Sequence, residues 1–138
     1  MELHIKLDEG AIMPERAHKD DAGLDLFSPE DVEIWPGERA TIDTGVHIEI
    51  PKGYVGLLTS KSGLMKNYGL TNRGTIDSGY TGPIGAVMFN HGPNIYHVKR
   101  GDKITQLVII PCITPEPVLV EALGFSDRGD AGFGSTGR

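Results

Sequence analysis

Cysteine is almost missing from this 138-residue chain: Cys112 is its only one, so no disulfide forms within it. Its place in the apolar run 107–113 (LVIIPCI) predicts a buried, inert thiol rather than a reactive or metal-binding one. Positive charge is also scarce, with 13 Lys and Arg against 19 Asp and Glu and a net charge of −6. Sequence-blind binding to nucleic acid is thereby disfavoured, because that affinity comes from clustered cations neutralising phosphates. A small phosphorylated ligand stays open, since it needs only a few local cations. No stretch resembles a signal peptide or a membrane span, which sets the expectation of a cytoplasmic protein with no membrane partner. The five histidines, at positions 4, 18, 47, 91 and 97, never fall with the cysteine at a zinc-binding spacing.

Glycine and proline are what the chain has in quantity, 19 and 9 residues, and they punctuate it every several positions. Between them lie short segments of period-two alternation, Leu3/Ile5/Leu7, Val32/Ile34 and Val46/Ile48/Ile50, which predict half-buried strands. Longer apolar runs at 54–58, 84–89 and 104–110 predict strands covered on both faces. Only residues 62–68 read as a brief helix. The pattern predicts an all-β fold, a jelly-roll sandwich or barrel of short strands, whose functional residues must come from loops and strand ends. With 38% hydrophobic residues the length suits one core, assigned to residues 1–124, followed by a glycine-rich arm at 125–138.

Chemistry-bearing residues gather in five places. In 74–82 (GTIDSGYTG), Asp77 and Tyr80 lie three residues apart in a glycine-flanked turn, where a carboxylate can orient a water and a ring can lie against a sugar; a plain Asx-type turn suits them equally. In 60–65 (SKSGLM), hydroxyls, a cation and a glycine open the helix, which suits an anion or a simple cap. In 22–28 (AGLDLFS), Asp25 stands between apolar neighbours, so it needs a partner, either a hydrated Mg²⁺ or a turn hydrogen bond. In 100–107 (RGDKITQL), Gln106 follows a turn into a strand, and its amide can donate to a phosphoryl oxygen and accept from a water at once. The last stretch, 128–138 (RGDAGFGSTGR), holds four glycines around a lone aromatic, Phe133, with Arg128, Ser135 and Thr136 beside it: a ligand-ordered lid or a frayed terminus.

In order and spacing these stretches resemble the five sequence boxes of the trimeric deoxyuridine triphosphate nucleotidohydrolases, over nearly the whole chain. The resemblance implies a β jelly roll assembled as a homotrimer, with each site built from boxes of three chains and dUTP hydrolysed to dUMP and pyrophosphate. It implies Asp77 as general base and Tyr80 as the ring that excludes a 2′-hydroxyl. Gln106 would hold the water and the α-phosphate, and Gly74, Thr75 and Ile76, in the hairpin around Asp77, would read uracil. Lys61, Ser62 and Gly63 would bind phosphates, and Asp25 would meet a water on Mg²⁺. From the arm, Phe133 would stack on uracil while Arg128, Gly134, Ser135 and Thr136 close over the phosphates. Lys61 stands where many relatives have arginine, Thr71 where some have an asparagine that reaches the base, and Ala131 where a glycine is common. An aspartate, with its ordinary pKa of about 3.9, is a poor base near neutrality, so placement has to do what basicity does not. Two other readings stand beside this one. A dCTP deaminase of the same fold would need an acid in 84–89 (IGAVMF), which has none, and a nucleotide-sensing module would use the same pocket to gate a partner.

Overall fold

The structure, a computed structural model, describes residues 1–137; Arg138, at the end of the expected arm, lies outside them. Ten strands and one helix follow in the order β1 His4–Leu7, β2 Gly23–Phe27, β3 Val32–Ile34, β4 Arg39–Glu49, β5 Tyr54–Thr59, α1 Ser62–Tyr68, β6 Leu70–Thr71, β7 Arg73–Ile76, β8 Pro83–Asn90, β9 Tyr96–Val98 and β10 Lys103–Pro111. They build two four-stranded sheets, β1-β4-β8-β6 and β2-β10-β5-β7, and a ribbon of β3 with β9, with every pairing antiparallel. The all-β jelly-roll expectation is met, and no helix among the described residues is long and apolar enough to cross a membrane.

Alternation decides which residues enter the core. Along β4 every second residue is buried, Ile42, Thr44, Val46 and Ile48, with Ile50 just beyond. Val46, Ile48 and Ile50 meet Leu24, Leu26, Leu58 and Leu107 from the opposite sheet, each worth roughly 1.5–3 kcal/mol when fully buried. A second cluster around Ile34, Ile42, Met88 and Ile104 closes the other end. Between Asp43↔Gly85 and His47↔Pro83 the β4–β8 register slips. There the Thr44 hydroxyl turns inward and donates to the Ile84 carbonyl at 2.7 Å, and Gly45 takes φ 66°, a left-handed conformation that suits glycine. This bulge sets the position of His47. The helix matches the expected 62–68 and stops at Gly69, φ 71°, whose N–H donates to the Leu64 and Met65 carbonyls.

Three expectations are corrected. The runs at 54–58, 84–89 and 104–110 are covered on one face only: in β8, Ile84, Ala86 and Met88 are buried while Gly85 and Phe89 are exposed, and in β10 Ile110 is exposed. A single two-layer sandwich has an outside, and these strands turn apolar residues toward it. Cys112 is half-buried rather than buried, because β10 ends at Pro111 and the thiol lies beyond the sheet. The turn 77–82 does not close a paired hairpin: β7 pairs with β5, whereas β8 pairs with β4 and β6. β8 begins at Pro83, already opposite His47 of β4, so the chain crosses from one sheet to the other within the turn.

Candidate functional site

The outer face of the sheet β2-β10-β5-β7 carries the first group of polar residues. One rung places Asp25 opposite Gln106, Gln106 opposite Thr59 and Thr59 opposite Arg73, so these four share a face, whereas Leu24, Leu107 and Leu58 on the next rung point into the core. Asp25 is only 4% exposed. Lys61 donates to its Oδ1, and the Lys103 ammonium lies 3.0 Å from Oδ2. Burial pushes the Asp25 carboxyl up, but the hydrogen bonds and charges of the two lysines outweigh this and hold it below the ordinary carboxylate value. In return, the hydrogen bond and charge of Asp25 raise Lys103 above the ordinary lysine value. Gly23 makes room for the Gln106 carboxamide, since a Cβ there would fall 2.9 Å from the Gln106 Cδ.

Ser62 and Gly63 follow directly, exposed, on the first turn of α1. The N-cap is Lys61, and no side chain caps the helix; the Ser60 hydroxyl is engaged elsewhere, donating to the Asn72 carbonyl and accepting from the Asn72 N–H, both at 2.9 Å. The first backbone N–H groups of α1 are therefore left for solvent or a ligand. Asp25, Lys61, Ser62, Gly63 and Gln106 thus form one patch of two hydroxyl or amide donors, free N–H groups and a shared cation.

A second group surrounds the turn 77–82. Where β7 and β8 part, they leave a cleft of about 220 Å³ lined by Thr75, Ile76, Asp77, Tyr80, Pro83 and Ile84. On its free side the edge strand β7 keeps unpaired backbone donors and acceptors. The Tyr80 N–H donates to the Asp77 carbonyl at 3.0 Å and its hydroxyl to the Pro83 carbonyl at 2.8 Å. The ring lies over Gly82, where a Cβ would come within 2.7 Å of the Tyr80 Cζ, so glycine is required beneath it. A Cβ on Gly74 would meet Leu58, so this position offers the cleft only its backbone. Thr71, on β6, is hydrogen-bonded through its hydroxyl to His91 Nε2 at 2.9 Å.

The arm stands apart. From Ser126 onward, hydrogen bonds among the described residues stay within the arm, such as the Arg128 Nε–H donating to the Ala131 carbonyl at 2.8 Å, and Phe133, Gly134, Ser135 and Thr136 are all exposed. So is the apolar stretch before it, with Ile113, Leu119, Leu123 and Phe125 almost wholly uncovered.

Sequence reasoning passed over Gly23, Gly82 and Lys103, although all three lie inside the boxes it singled out. It also missed Asn72, a buried residue whose side-chain Oδ1 and Nδ2 have no hydrogen-bond partner among the described residues; its signal was an amide next to Thr71.

The dUTPase family model matches residues 9–137. The chain belongs to the dUTPase family. Among curated dUTPases, the deoxyuridine 5′-triphosphate nucleotidohydrolase of Gloeothece citriformis is 45% identical over 99% of this chain and 97% of its own length. That of Clostridium tetani is 46% identical with the same coverage. The dUTPase of Staphylococcus bacteriophage 80alpha, solved with dUpNHpp, superposes with a TM-score of 0.93 at 40% identity over 99% of each chain. A variant of the dUTPase from phage phi11 of S. aureus, 39% identical with a TM-score of 0.83 over 89% of this chain and 99% of its own, is described as coordinating a structural Mg(II) ion. The chain is accordingly an enzyme, a dUTPase acting on deoxyuridine triphosphate.

Proposed function

We propose that this dUTPase converts dUTP to dUMP and pyrophosphate by attack of an Asp77-oriented water on the α-phosphorus, at a site completed only between copies of the chain. One observation carries the reading: the two halves of a nucleotide site lie apart on one sheet. Asp77 continues β7 four rungs beyond the Gln106 rung and two strands away, which is roughly 13 Å along the strands and about 10 Å across them. No side chain spans that distance to a single phosphate. The exposed Phe89 of β8 and Ile110 of β10, and the exposed stretch 113–125, support a homotrimer in which the phosphate patch of one copy meets the Asp77 turn of the next. In that assembly residues 112–124 would dock on a neighbour, and the mobile part would be the arm from 125 on.

Within the site the cleft admits the base edge-on to the free backbone of β7 around Gly74, Thr75 and Ile76, and the Tyr80 ring lies against the sugar, leaving no room for a 2′-hydroxyl. Ser62, Gly63 and Lys61 hold phosphates, while the Gln106 amide donates to an α-phosphoryl oxygen and accepts from the water whose proton Asp77 takes. In the closed state Phe133 stacks on uracil and Arg128, Gly134, Ser135 and Thr136 cover the triphosphate. Thr71, bonded to His91, supports the sheet edge near the base. The donor set fits Mg²⁺ only as an ion carried by the triphosphate. Among the described residues no three His, Cys, Asp or Glu side chains are grouped to hold one. Asp25, with two lysines on its roughly four lone-pair positions, retains room to accept from an ion-bound water. Such an ion would neutralise charge on the phosphates. A cytoplasmic location belongs to the same reading. The deaminase alternative gains nothing, because β8 carries no acidic side chain.

Co-expression tests the shared site. Asp77→Asn and Gln106→Ala chains should each release pyrophosphate from dUTP far more slowly than the parent, while their mixture recovers about a quarter of the parental sites by random reassortment into trimers. Absence of recovery in mixed trimers of confirmed composition would place both residues in one copy's site and refute the reading. Retained turnover in Asp77→Asn alone would remove Asp77 as the base.

A further inference from the structure

His47 is buried apart from 18% of its side chain, and each of its ring nitrogens faces oxygen. Nδ1 lies 2.8 Å from the Thr81 carbonyl, and Nε2 lies 3.0 Å from both carboxylate oxygens of Asp8. A carbonyl and an ionised carboxylate only accept, so both contacts need a ring N–H, and a neutral imidazole has one. The arrangement is satisfied by the imidazolium alone. Around the ring stand Lys6, directly across β1 and repelling a proton, Asp8, which attracts it, and the His4–Glu49 pair at 2.9 Å on the neighbouring rungs; from the β8 side there is Pro83, which does not titrate.

The Thr81 carbonyl belongs to the turn that carries Asp77 and Tyr80. Within that turn the hydrogen bonds are internal, Tyr80 N–H to the Asp77 carbonyl and Tyr80 O–H to the Pro83 carbonyl. Among the described residues, the one side chain of the sandwich body that holds residues 77–82 by a hydrogen bond is His47. The bulge at Gly45 places it there, and Asp8, itself tied to the bulge by its N–H donating to the Gly45 carbonyl at 2.9 Å, fixes the other side of the ring. We propose that His47 is a positioning residue for dUTP hydrolysis, an imidazolium on β4 that clamps the Asp77–Tyr80 turn through the Thr81 carbonyl, so that loss of its proton loosens the base-and-water half of the site. The proposal rests on the assignment of Asp77 and Tyr80 to that half.

The hydrogen bond to Thr81 first, and that to Asp8 after it, raise the His47 proton affinity above the ordinary histidine value of about 6.5. The clamp is therefore complete below that value and is lost as pH rises through the raised one. On the alkaline side kcat/KM for dUTP should fall along the His47 titration. In Asp8→Asn this limb should move to lower pH, and in His47→Gln it should vanish, with turnover on the acid side of the limb down by roughly tenfold, the scale of one charge-assisted hydrogen bond. Nitrogen-15 spectra should show both nitrogens of the wild-type ring protonated below the ordinary histidine value, with the proton leaving at a higher pH than in Asp8→Asn. A His47→Gln profile superimposing on the parent's, or a ring already neutral below the ordinary histidine value, would overturn the clamp. If Asp77→Asn is inactive in the same assay while His47→Gln is indifferent, the clamp fails and the dUTPase assignment of the turn stands. If Asp77→Asn stays active, that assignment fails, and the ring spectra still decide the protonation.

Discussion

Gly23→Ala isolates one contact of the proposed phosphate patch from the rest of the fold. A Cβ at position 23 falls against the Gln106 carboxamide, 2.9 Å from its Cδ and 3.2 Å from its Cβ. Gly23 has no left-handed φ, so alanine fits the backbone and should stabilise the chain by about 0.4–1 kcal/mol through lost freedom in the unfolded state. Relieving the contact pushes the Gln106 side chain off its rotamer at a cost of about 0.5–1.5 kcal/mol. These terms nearly cancel, and the urea midpoint should hardly move. The reaction cannot absorb the shift so easily. Displacing a positioning group by about 1 Å costs on the order of 100-fold in rate, so kcat for pyrophosphate release from dUTP should fall between about 10- and 100-fold. In a Gln106→Ala background there is no carboxamide to displace, and the same substitution should be silent. The coupling in this double-mutant cycle should come to about 1.4–2.7 kcal/mol. An equal loss from Gly23→Ala in both backgrounds, or a loss confined to stability, would refute the packing argument.

Asp25→Asn should unpair Lys61 and Lys103 and destabilise the chain by about 1–3 kcal/mol, below the ~3–5 kcal/mol typical of broken buried pairs, because the lysine side chains, 25% and 36% exposed, can turn back to water. Since Asp25 is held below the ordinary carboxylate value, its contribution is complete above about pH 4 and is lost as pH falls through the lowered value; urea midpoints of parent and variant should converge only in that acid range. Phe133→Ala should leave the thermal midpoint unchanged, because the ring touches nothing in the open chain, yet weaken dUpNHpp binding by the ~1–3 kcal/mol of one base stack, measurable by calorimetry.

Local periodicity carried the strands and the helix into view. Val46, Ile48 and Ile50 alternate because one face of β4 is buried, and α1 ends where Gly69 can take a left-handed φ. What stayed hidden depends on contacts far apart in the chain. That Asp25 is neutralised by Lys61 and Lys103 follows from the order β2-β10-β5-β7, which no spacing encodes. The glycine-rich turn 74–82 reads as a hairpin because turn residues separate two apolar runs. Sheet membership makes it a splayed cleft instead, with Pro83 already opposite His47 of β4 and Gly82 lying under Tyr80. Equally, an apolar run such as 104–110 states that both faces avoid water and is silent on whose surface covers the second. The His47 clamp is of the same kind, since Asp8, His47 and Thr81 meet only through the bulge at Gly45.

The separation of the two half-sites has a consequence for selectivity. On the proposed reading, the patch of Lys61, Ser62, Gly63 and Gln106 on one chain would meet any triphosphate, and the cleft beside Asp77 any pyrimidine of the right width. Neither alone discriminates strongly, because each contributes only part of the binding free energy. A ligand that spans both gains the second contact as an effectively intramolecular event, and the gain disappears when its base or sugar misfits the cleft. In the proposed assembly, refusal of a ribonucleotide would then come from failing to bridge two copies in register with Gln106, a penalty felt in the alignment of water and phosphorus more than in binding. A 2′-hydroxyl should accordingly lower kcat at least as much as it raises KM, whereas a site contained within one chain would express the same steric conflict chiefly as weaker binding.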